Sequence, residues 1–230
     1  MLWMKAWLET RWRLSFMLGL AVLEIAMGEQ GGGLGTAEHA SNLMHLQLML
    51  SIMTAFYLAG SGIKTQSPFR AKRGLHGSTH FTLSMPVSRL RLVAVRASFG
   101  FLETAGVVVF MIILAWTLFP LISGSSTFVD LMRLVLAAVV CISCFYCLSV
   151  MISTVLDEMW QMYGSLFVAG LAWWATERLG FPSSANVFRF MTEASPLVTH
   201  ALPWPAMAVS LTLSAVLFVT TLKIVQSHEY

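Results

Sequence analysis

"LMRLVLAAVVCISCFYCLSVMIST", residues 131–154, is an apolar run in which the one charged side chain is Arg133. A helix needs about 20 mostly apolar residues to cross the roughly 30 Å of hydrocarbon in a bilayer. This run meets that length by itself. The sequence therefore predicts a transmembrane helix here, and the fold depends on how many similar runs the chain contains.

The composition of the whole chain points the same way. Of its 230 residues, 57% are hydrophobic and only 11% are charged, and the mean hydropathy is +0.75. A soluble domain of this length needs a larger polar surface. We predict an all-α, polytopic integral membrane protein that forms a single transmembrane domain over residues 1–230. Its six membrane spans are predicted at residues 14–28, 43–61, 97–119, 131–154, 159–175 and 205–223.

The distribution of Lys and Arg predicts the orientation of these spans. Basic loops stay in the cytoplasm, whereas acidic residues contribute little to topology. With the N-terminus inside, eleven of the fourteen Lys and Arg residues lie on the cytoplasmic side, and only Arg133, Arg178 and Arg189 lie outside. An even number of spans then places both termini in the cytoplasm.

The first thirteen residues are predicted to form an amphipathic helix in the membrane interface, where Trp side chains are favoured. On a helix, Lys5, Glu9 and Arg13 share one face, and the opposite face carries Trp3, Ala6, Trp7 and Thr10. A basic flank of the first span is the simpler alternative. A cleaved signal peptide fits less well, because residues 28–41 offer no small-residue cleavage site.

The segment 180–204 before the last span is long for an external turn and contains Pro182, Pro196 and Pro203. Ser183 or Ser184 can cap a short helix that continues through Glu193. Ser195 followed by Pro196 is typical of an N-cap and the first helical position. We therefore predict two short re-entrant helices in the outer leaflet, packed against protein or lining a cavity.

The sequence contains few features of an enzyme. Cys141, Cys144 and Cys147 lie inside an apolar span without a fourth ligand nearby, so we interpret them as core residues and not as metal ligands. The six histidines are scattered, and no H-E-x-x-H or phosphate-binding loop occurs. "AGSGI" at residues 59–63 lacks the first glycine of an intramembrane serine protease motif. We predict a non-catalytic chain that binds no cofactor or metal.

Acidic residues inside the predicted spans are candidates for function, because a carboxylate in hydrocarbon usually faces protein or water. Glu24 lies late in the first span and is interpreted as an interface residue beyond an early helix end. Glu103 lies about two turns into the third span, next to Thr104. It is either a packing contact or part of a translocation path. Asp130 and Arg133, at i and i+3, are predicted to form a local ion pair.

The loop between the second and third spans carries seven of the fourteen Lys and Arg residues in its residues 62–96 and no Asp or Glu. Within it, "HGSTHFTLSM" precedes "PVSRLRLVAVR". The residues Pro86, Val87, Ser88 and Arg89 resemble a motif of ABC-2-type permeases, the membrane subunits of ATP-binding-cassette exporters. The resemblance extends to the interfacial first helix, the six spans and the paired external helices, and so covers essentially the full chain.

The resemblance implies that the segment before this motif is a coupling helix that docks on a separate ATPase. The expected coupling residues are Thr79, Thr82, Leu83, Met85, Pro86 and Arg89. Thr82, Leu83 and Met85 would give the helix an apolar docking face, Pro86 would end it, and the arginines would contact anionic headgroups.

The same resemblance implies a homodimer, or a heterodimer with a related permease, served by two copies of an ATPase that bind the ATP and Mg²⁺. It places the dimer in the bacterial cytoplasmic (inner) membrane. The translocation path would run between the two permeases and be lined by the first, second and fifth spans. The expected path residues are Phe56, Tyr57, Glu103, Met159, Tyr163 and Phe167.

Two other classes of membrane protein stay open. A proton-coupled secondary transporter would need Glu103 and no ATPase, although we find no internal inverted repeat. A non-transporting anchor or assembly subunit would have the same hydropathy and no use for a coupling loop. The aromatic and Met-rich spans favour a hydrophobic or amphipathic substrate such as a lipid, a peptide or a drug.

Overall fold

A computed structural model of the chain describes residues 2–30, 37–59, 89–118, 127–156, 158–190 and 195–227. These residues form helices joined by short turns, and no β-strand occurs among them. The prediction of an all-α fold is therefore confirmed. The helices are α1 (Leu2–Gln30), α2 (Ala37–Leu58), α3 (Arg89–Leu118), α4 (Phe128–Ser153), α5 (Glu158–Arg178), α6 (Pro196–Thr199) and α7 (Trp204–Ser227).

Three of these helices contain segments that are long and apolar enough to cross a membrane. The segments are Val93–Leu118 in α3, Phe128–Ser153 in α4 and Trp204–Ser227 in α7. They coincide with the predicted third, fourth and sixth spans. In α2 the apolar part is shorter, Met44–Leu58. The chain is thus a helical membrane protein with three candidate spans, and the other three predicted spans stay predictions.

The N-terminal helix differs from the expectation at two points. Helix α1 is continuous from Leu2 to Gln30, so the interfacial segment 1–13 and the first predicted span form one helix. It also continues past Glu24, whose carboxylate is buried, so the helix does not end early at that residue. In the N-terminal half, Trp7 packs edge-on against Phe99 of α3, with ring centroids 6.3 Å apart.

Helix α4 lies at the centre of the described helices, in contact with α2, α3, α5 and α7. Its most extensive contact is with α7. Small side chains such as Ala137 and Ala138 are completely buried in the main core, and such residues let helices approach closely in membranes. Ser210 of α7 donates from Oγ to the carbonyl oxygens of Val140 and Cys141, at 2.9 and 3.0 Å.

Contacts between helices fix their relative directions. Trp7 meets Phe99 and Thr10 meets Glu103, so α1 and α3 run in the same direction. Helices α4 and α7 are also parallel, because Ser210 bonds to the carbonyls of residues 140 and 141 and Ser214 meets Ser143 one turn further along both helices. The chain must therefore reverse direction twice between α4 and α7.

The start of α4 is held by a capping box. The Thr127 hydroxyl accepts from the backbone N–H of Asp130, and the Asp130 carboxylate accepts from the backbone N–H of Thr127. Arg133 lies 3.0 Å from the other oxygen of Asp130, which confirms the predicted ion pair. His200, in the left-handed region at φ 52°, places Nδ1 2.9 Å from Asp130 Oδ2. These contacts join the N-terminus of α4 to the segment before α7.

Of the two short helices predicted before the last span, the second occurs with its predicted cap, and the first is replaced by 3₁₀ turns. Ser195 caps α6 and Pro196 is its first residue, which confirms that prediction. Ser183 and Ser184 lie inside a 3₁₀ turn (Ser183–Ala185) and do not cap a longer helix. A second 3₁₀ turn (Val187–Arg189) follows, capped by the Asn186 side chain. Glu193, the predicted helix end, lies outside the described residues.

A glycine on α3 marks a close helix crossing and provides a test of the packing. A Cβ at Gly100 would lie 2.5 Å from the Tyr146 hydroxyl and 3.3 Å from the Leu58 carbonyl oxygen, both on other helices. Overpacking of this kind typically costs about 1–3 kcal/mol. We expect Gly100→Ala to lower the thermal unfolding temperature of the detergent-purified protein.

Gly106→Ala on the same helix is the matched control, because no heavy atom lies within 4 Å of its added Cβ. We expect this variant to unfold at or above the wild-type temperature. Removing the Tyr146 hydroxyl in Gly100→Ala/Tyr146→Phe should recover part of the loss. If Gly100→Ala and Gly106→Ala unfold at the same temperature, the close crossing at Gly100 is contradicted.

Candidate functional site

The residues expected to contact an ATPase fall mainly outside the described part of the chain. Thr79, Thr82, Leu83, Met85 and Pro86 lie there, in the segment between α2 and α3. Arg89 is the first residue of α3. The structure does describe the two helix ends that carry this loop, namely the C-terminus of α2 and the first turns of α3.

Two of the C-terminal carbonyl groups of α2 accept hydrogen bonds from side chains of other helices. The last four carbonyls of a helix have no intrahelical donor, and in hydrocarbon water cannot replace one. In α2, which has no basic residue in its last turn, the Phe56 carbonyl accepts from Gln161 Nε2 at 3.1 Å and from Ser149 Oγ at 3.3 Å. The Tyr57 carbonyl accepts from Arg13 of α1 at 3.4 Å.

Ser149, Gln161 and Ser165 form a buried polar cluster around the Phe56 carbonyl, which we call the α2 clamp. Gln161 Nε2 also donates to Ser149 Oγ at 2.7 Å, and Ser165 Oγ donates to the same oxygen at 3.1 Å. All three side chains are at most 1% exposed. The α2 clamp therefore joins α2, α4 and α5 at one point directly before the basic loop.

The other end of the loop is attached to the same central helix. Tyr146, one turn before Ser149 on α4, donates from its hydroxyl to the Ala97 carbonyl of α3 at 2.8 Å. Its ring also packs against Phe101, with centroids 5.6 Å apart. Tyr146 and Ser149 thus hold the two helices that flank the basic loop against adjacent turns of α4.

A second buried polar group joins α1 to α3. Thr10 donates from Oγ1 to Glu103 Oε1 at 2.6 Å, and both side chains are buried. The Arg13 guanidinium, expected on the polar face of α1, lies over the Tyr57 ring at 5.7 Å and interacts electrostatically with Glu103. Glu103 Oε2 has no hydrogen-bond partner among the described residues.

Among the residues predicted to line a path, the five whose side chains the structure describes are not brought together within one chain. Phe56 is completely buried and packs against Phe145, with ring centroids 6.3 Å apart. Tyr57 contacts α1, and Glu103 lies between α1 and α3. Tyr163 and Phe167 are exposed on α5. Met159 lies in the first turn of α5, and its side chain is outside the described part.

The exposed face of α5 is unusually rich in large side chains. Trp160, Tyr163, Phe167, Leu171 and Trp174 recur at helical spacing, and each is at least 50% exposed. Such a large apolar face needs lipid or another protein around it.

The cysteines lie where the sequence predicts, in the packed helix α4. Cys141 and Cys144 are buried, Cys147 is half-buried, and none is disulfide-bonded. In the described part of the chain no group of His, Cys, Asp and Glu side chains is arranged to hold a metal ion.

The α2 clamp is the feature that sequence reasoning missed. Its members are single polar residues within apolar stretches, and polar residues inside membrane helices often hydrogen-bond across helices. That signal selects Ser149, Gln161 and Ser165 as candidates, but it does not identify the Phe56 carbonyl as their acceptor.

Comparisons with known proteins add no relationship. No protein-family model matches the chain, and neither a curated protein nor a solved structure matches it. The function is therefore inferred from the residues and their geometry.

The α2 clamp can be tested by removing its amide. Gln161→Leu keeps a similar volume but takes away the donor to the Phe56 carbonyl and to Ser149. Loss of one partner of a buried hydrogen bond costs about 1–3 kcal/mol. We expect a lower unfolding temperature and faster proteolysis of the segment that follows α2, measured in detergent.

Phe167→Leu is the matched control on α5, because its side chain is 67% exposed. The free energy of unfolding of this variant should lie within about 0.5 kcal/mol of the wild-type value. If Gln161→Leu is as stable as Phe167→Leu, the amide is not holding α2.

Proposed function

We propose that this chain is the permease subunit of an ABC exporter, coupled to a separate ATPase through the loop at residues 62–96. One observation carries the proposal. The helices on both sides of that loop are bonded to adjacent turns of α4, through Ser149 to Phe56 and through Tyr146 to Ala97. A displacement of the loop would therefore be transmitted to the central helix of the bundle.

The chemistry of the loop fits this role. A chain without a nucleotide site can perform active transport only if the ATP cycle of another protein moves it. The apolar residues Leu83 and Met85 would contact the ATPase, while the seven Lys and Arg residues would hold the loop against anionic headgroups. ATP and Mg²⁺ would be bound by the partner, so this subunit is not itself an enzyme.

The helix directions support six spans with both termini on the same side of the membrane, and the distribution of Lys and Arg predicts that this side is the cytoplasm. Because α4 and α7 are parallel, the chain must return across the membrane between them. Helix α5, with 21 residues, is about 30 Å long and can make that crossing. Helices α1 and α3 are also parallel, so the chain would have to cross back between them. Helix α2 is the helix that would make this crossing.

The exposed aromatic face of α5 is our candidate for the contact between two permease subunits in the bacterial inner membrane. Tyr163 and Phe167 would line a path for a hydrophobic or amphipathic substrate. The partner would be a second copy or a related permease.

The six-span proposal predicts the location of reporter fusions. A fusion after residue 34 should be periplasmic, because α1 would have crossed once. A fusion at the C-terminus should be cytoplasmic, on the same side as the N-terminus. Alkaline phosphatase and fluorescent-protein fusions at both sites would measure this. If only α3, α4 and α7 span, the two termini lie on opposite sides, and the proposed topology is wrong.

The coupling role predicts that an ATPase with Walker motifs copurifies with this chain when the two are expressed together. Leu83→Asp/Arg89→Glu should remove the ATPase from the purified complex, because it places charge on the docking face and reverses the adjacent arginine. Membrane insertion should be unchanged, as judged by the C-terminal reporter.

Lys64→Glu/Gln66→Asp is the matched control, since it changes the charge of the same loop by the same amount outside the docking segment. It should retain the ATPase. If no ATPase binds the wild type under any condition, a proton-coupled transporter or a non-transporting anchor becomes the better hypothesis. Loss of the ATPase in both variants would indicate general electrostatics and not a docking face.

A further inference from the structure

An apolar groove of about 630 Å³ lies between α1 and α3. On α1 it is lined by Leu14, Leu18 and Val22, which recur every four residues and so share one face. On α3 it is lined by Val107 and Phe110. This volume lies within the range of pockets that bind small molecules, which are mostly apolar with a few placed polar groups.

The groove exists because two glycines face it. Gly19 and Gly106 line the groove, and a Cβ at either position would meet no heavy atom within 4 Å. A side chain at either position would therefore partly fill the space between the helices.

One polar group lines the groove, and it is incompletely bonded. Glu103 is only 8% exposed, and its Oε1 accepts from Thr10 at 2.6 Å. Its Oε2 is buried with no hydrogen-bond partner in the described residues. A buried acceptor without a donor is unfavourable by a few kcal/mol, so the carboxylate would gain a hydrogen bond if its side chain turned this oxygen toward a donor in the groove.

The groove has a polar end and an apolar end. Glu103 lies level with Thr10 and near Arg13. Phe110 lies about two turns further along α3, and Val22 lies about three turns beyond Thr10 along α1. From Leu14 to Val22 the rise is about 12 Å. The space is therefore shaped for a head group at Glu103 and a single chain along α1.

We propose that this groove binds a single-chain amphiphile with a primary amine head. The ammonium group donates to Glu103 Oε2, and the hydrocarbon chain lies between α1 and α3 in the space left by the two glycines. A carboxylate favours an amine over a hydroxyl because charge-assisted hydrogen bonds are about twice as strong as neutral ones. Binding in this groove does not require ATP, transport or a docked ATPase. The labelling experiment therefore tests the groove separately from the coupling role.

The test is photoaffinity labelling of the full chain in detergent with a decylamine that carries a diazirine on its chain. We expect adducts on residues 14–22 of α1 and 106–110 of α3, mapped by mass spectrometry. Unlabelled decylamine should compete about tenfold better than decanol, and decanoate should not compete. Glu103→Gln should remove the preference for the amine over the alcohol.

Gly106→Leu should abolish the adducts by filling the groove, while Gly170→Leu, at an equally open glycine on α5, should leave them unchanged. Gly19→Leu fills the groove from the α1 side and should also abolish the adducts, so it replaces Gly106→Leu if that variant does not fold. Adducts spread over the exposed faces of α5 and α7 would overturn the proposal. So would equal competition by decanol, or full labelling of Gly106→Leu.

Discussion

The structure depends on one constraint, the need to satisfy helix-end backbone groups where water is absent. Inside a protein or a bilayer, each unpaired carbonyl is unfavourable by several kcal/mol. Helix α2 contacts four other helices, and its Phe56 and Tyr57 carbonyls accept from Ser149, Gln161 and Arg13. The donors come from α4, α5 and α1, so satisfying the end of one helix fixes the positions of three others.

Helix α4 gains its central position from two kinds of residue. Its alanines let neighbouring helices approach, and its polar side chains bond to their backbones. Tyr146 reaches α3, Ser149 reaches α2, and Ser143 meets Ser214 of α7 at 2.7 Å. At its N-terminus the Asp130 carboxylate is shared by the capping box, Arg133 and His200. A helix bonded at its N-terminus and along its length is held in place relative to its neighbours, as the proposed coupling would require.

The two buried polar groups next to the basic loop have different roles. No atom of the α2 clamp is among the buried polar atoms that lack a partner, and its bonds hold three helices together. The Glu103 group is not, because Oε2 lacks a donor in the described residues and lies beside an apolar groove. A fully satisfied buried network stabilises a structure, whereas a buried oxygen without a donor leaves one hydrogen bond still to be gained.

The sequence by itself determined the helical class, the apolar segments of α3, α4 and α7, the Ser195 cap and the Asp130–Arg133 pair. These features depend on hydropathy over one helix length or on residues within one turn. Tertiary structure alone decided that Thr10 meets Glu103, 93 residues away, and that Gln161 meets the Phe56 carbonyl, 105 residues away. It also made α1 continuous and buried Phe56 within the bundle, because packing against other helices determines where a helix ends and which of its faces is covered.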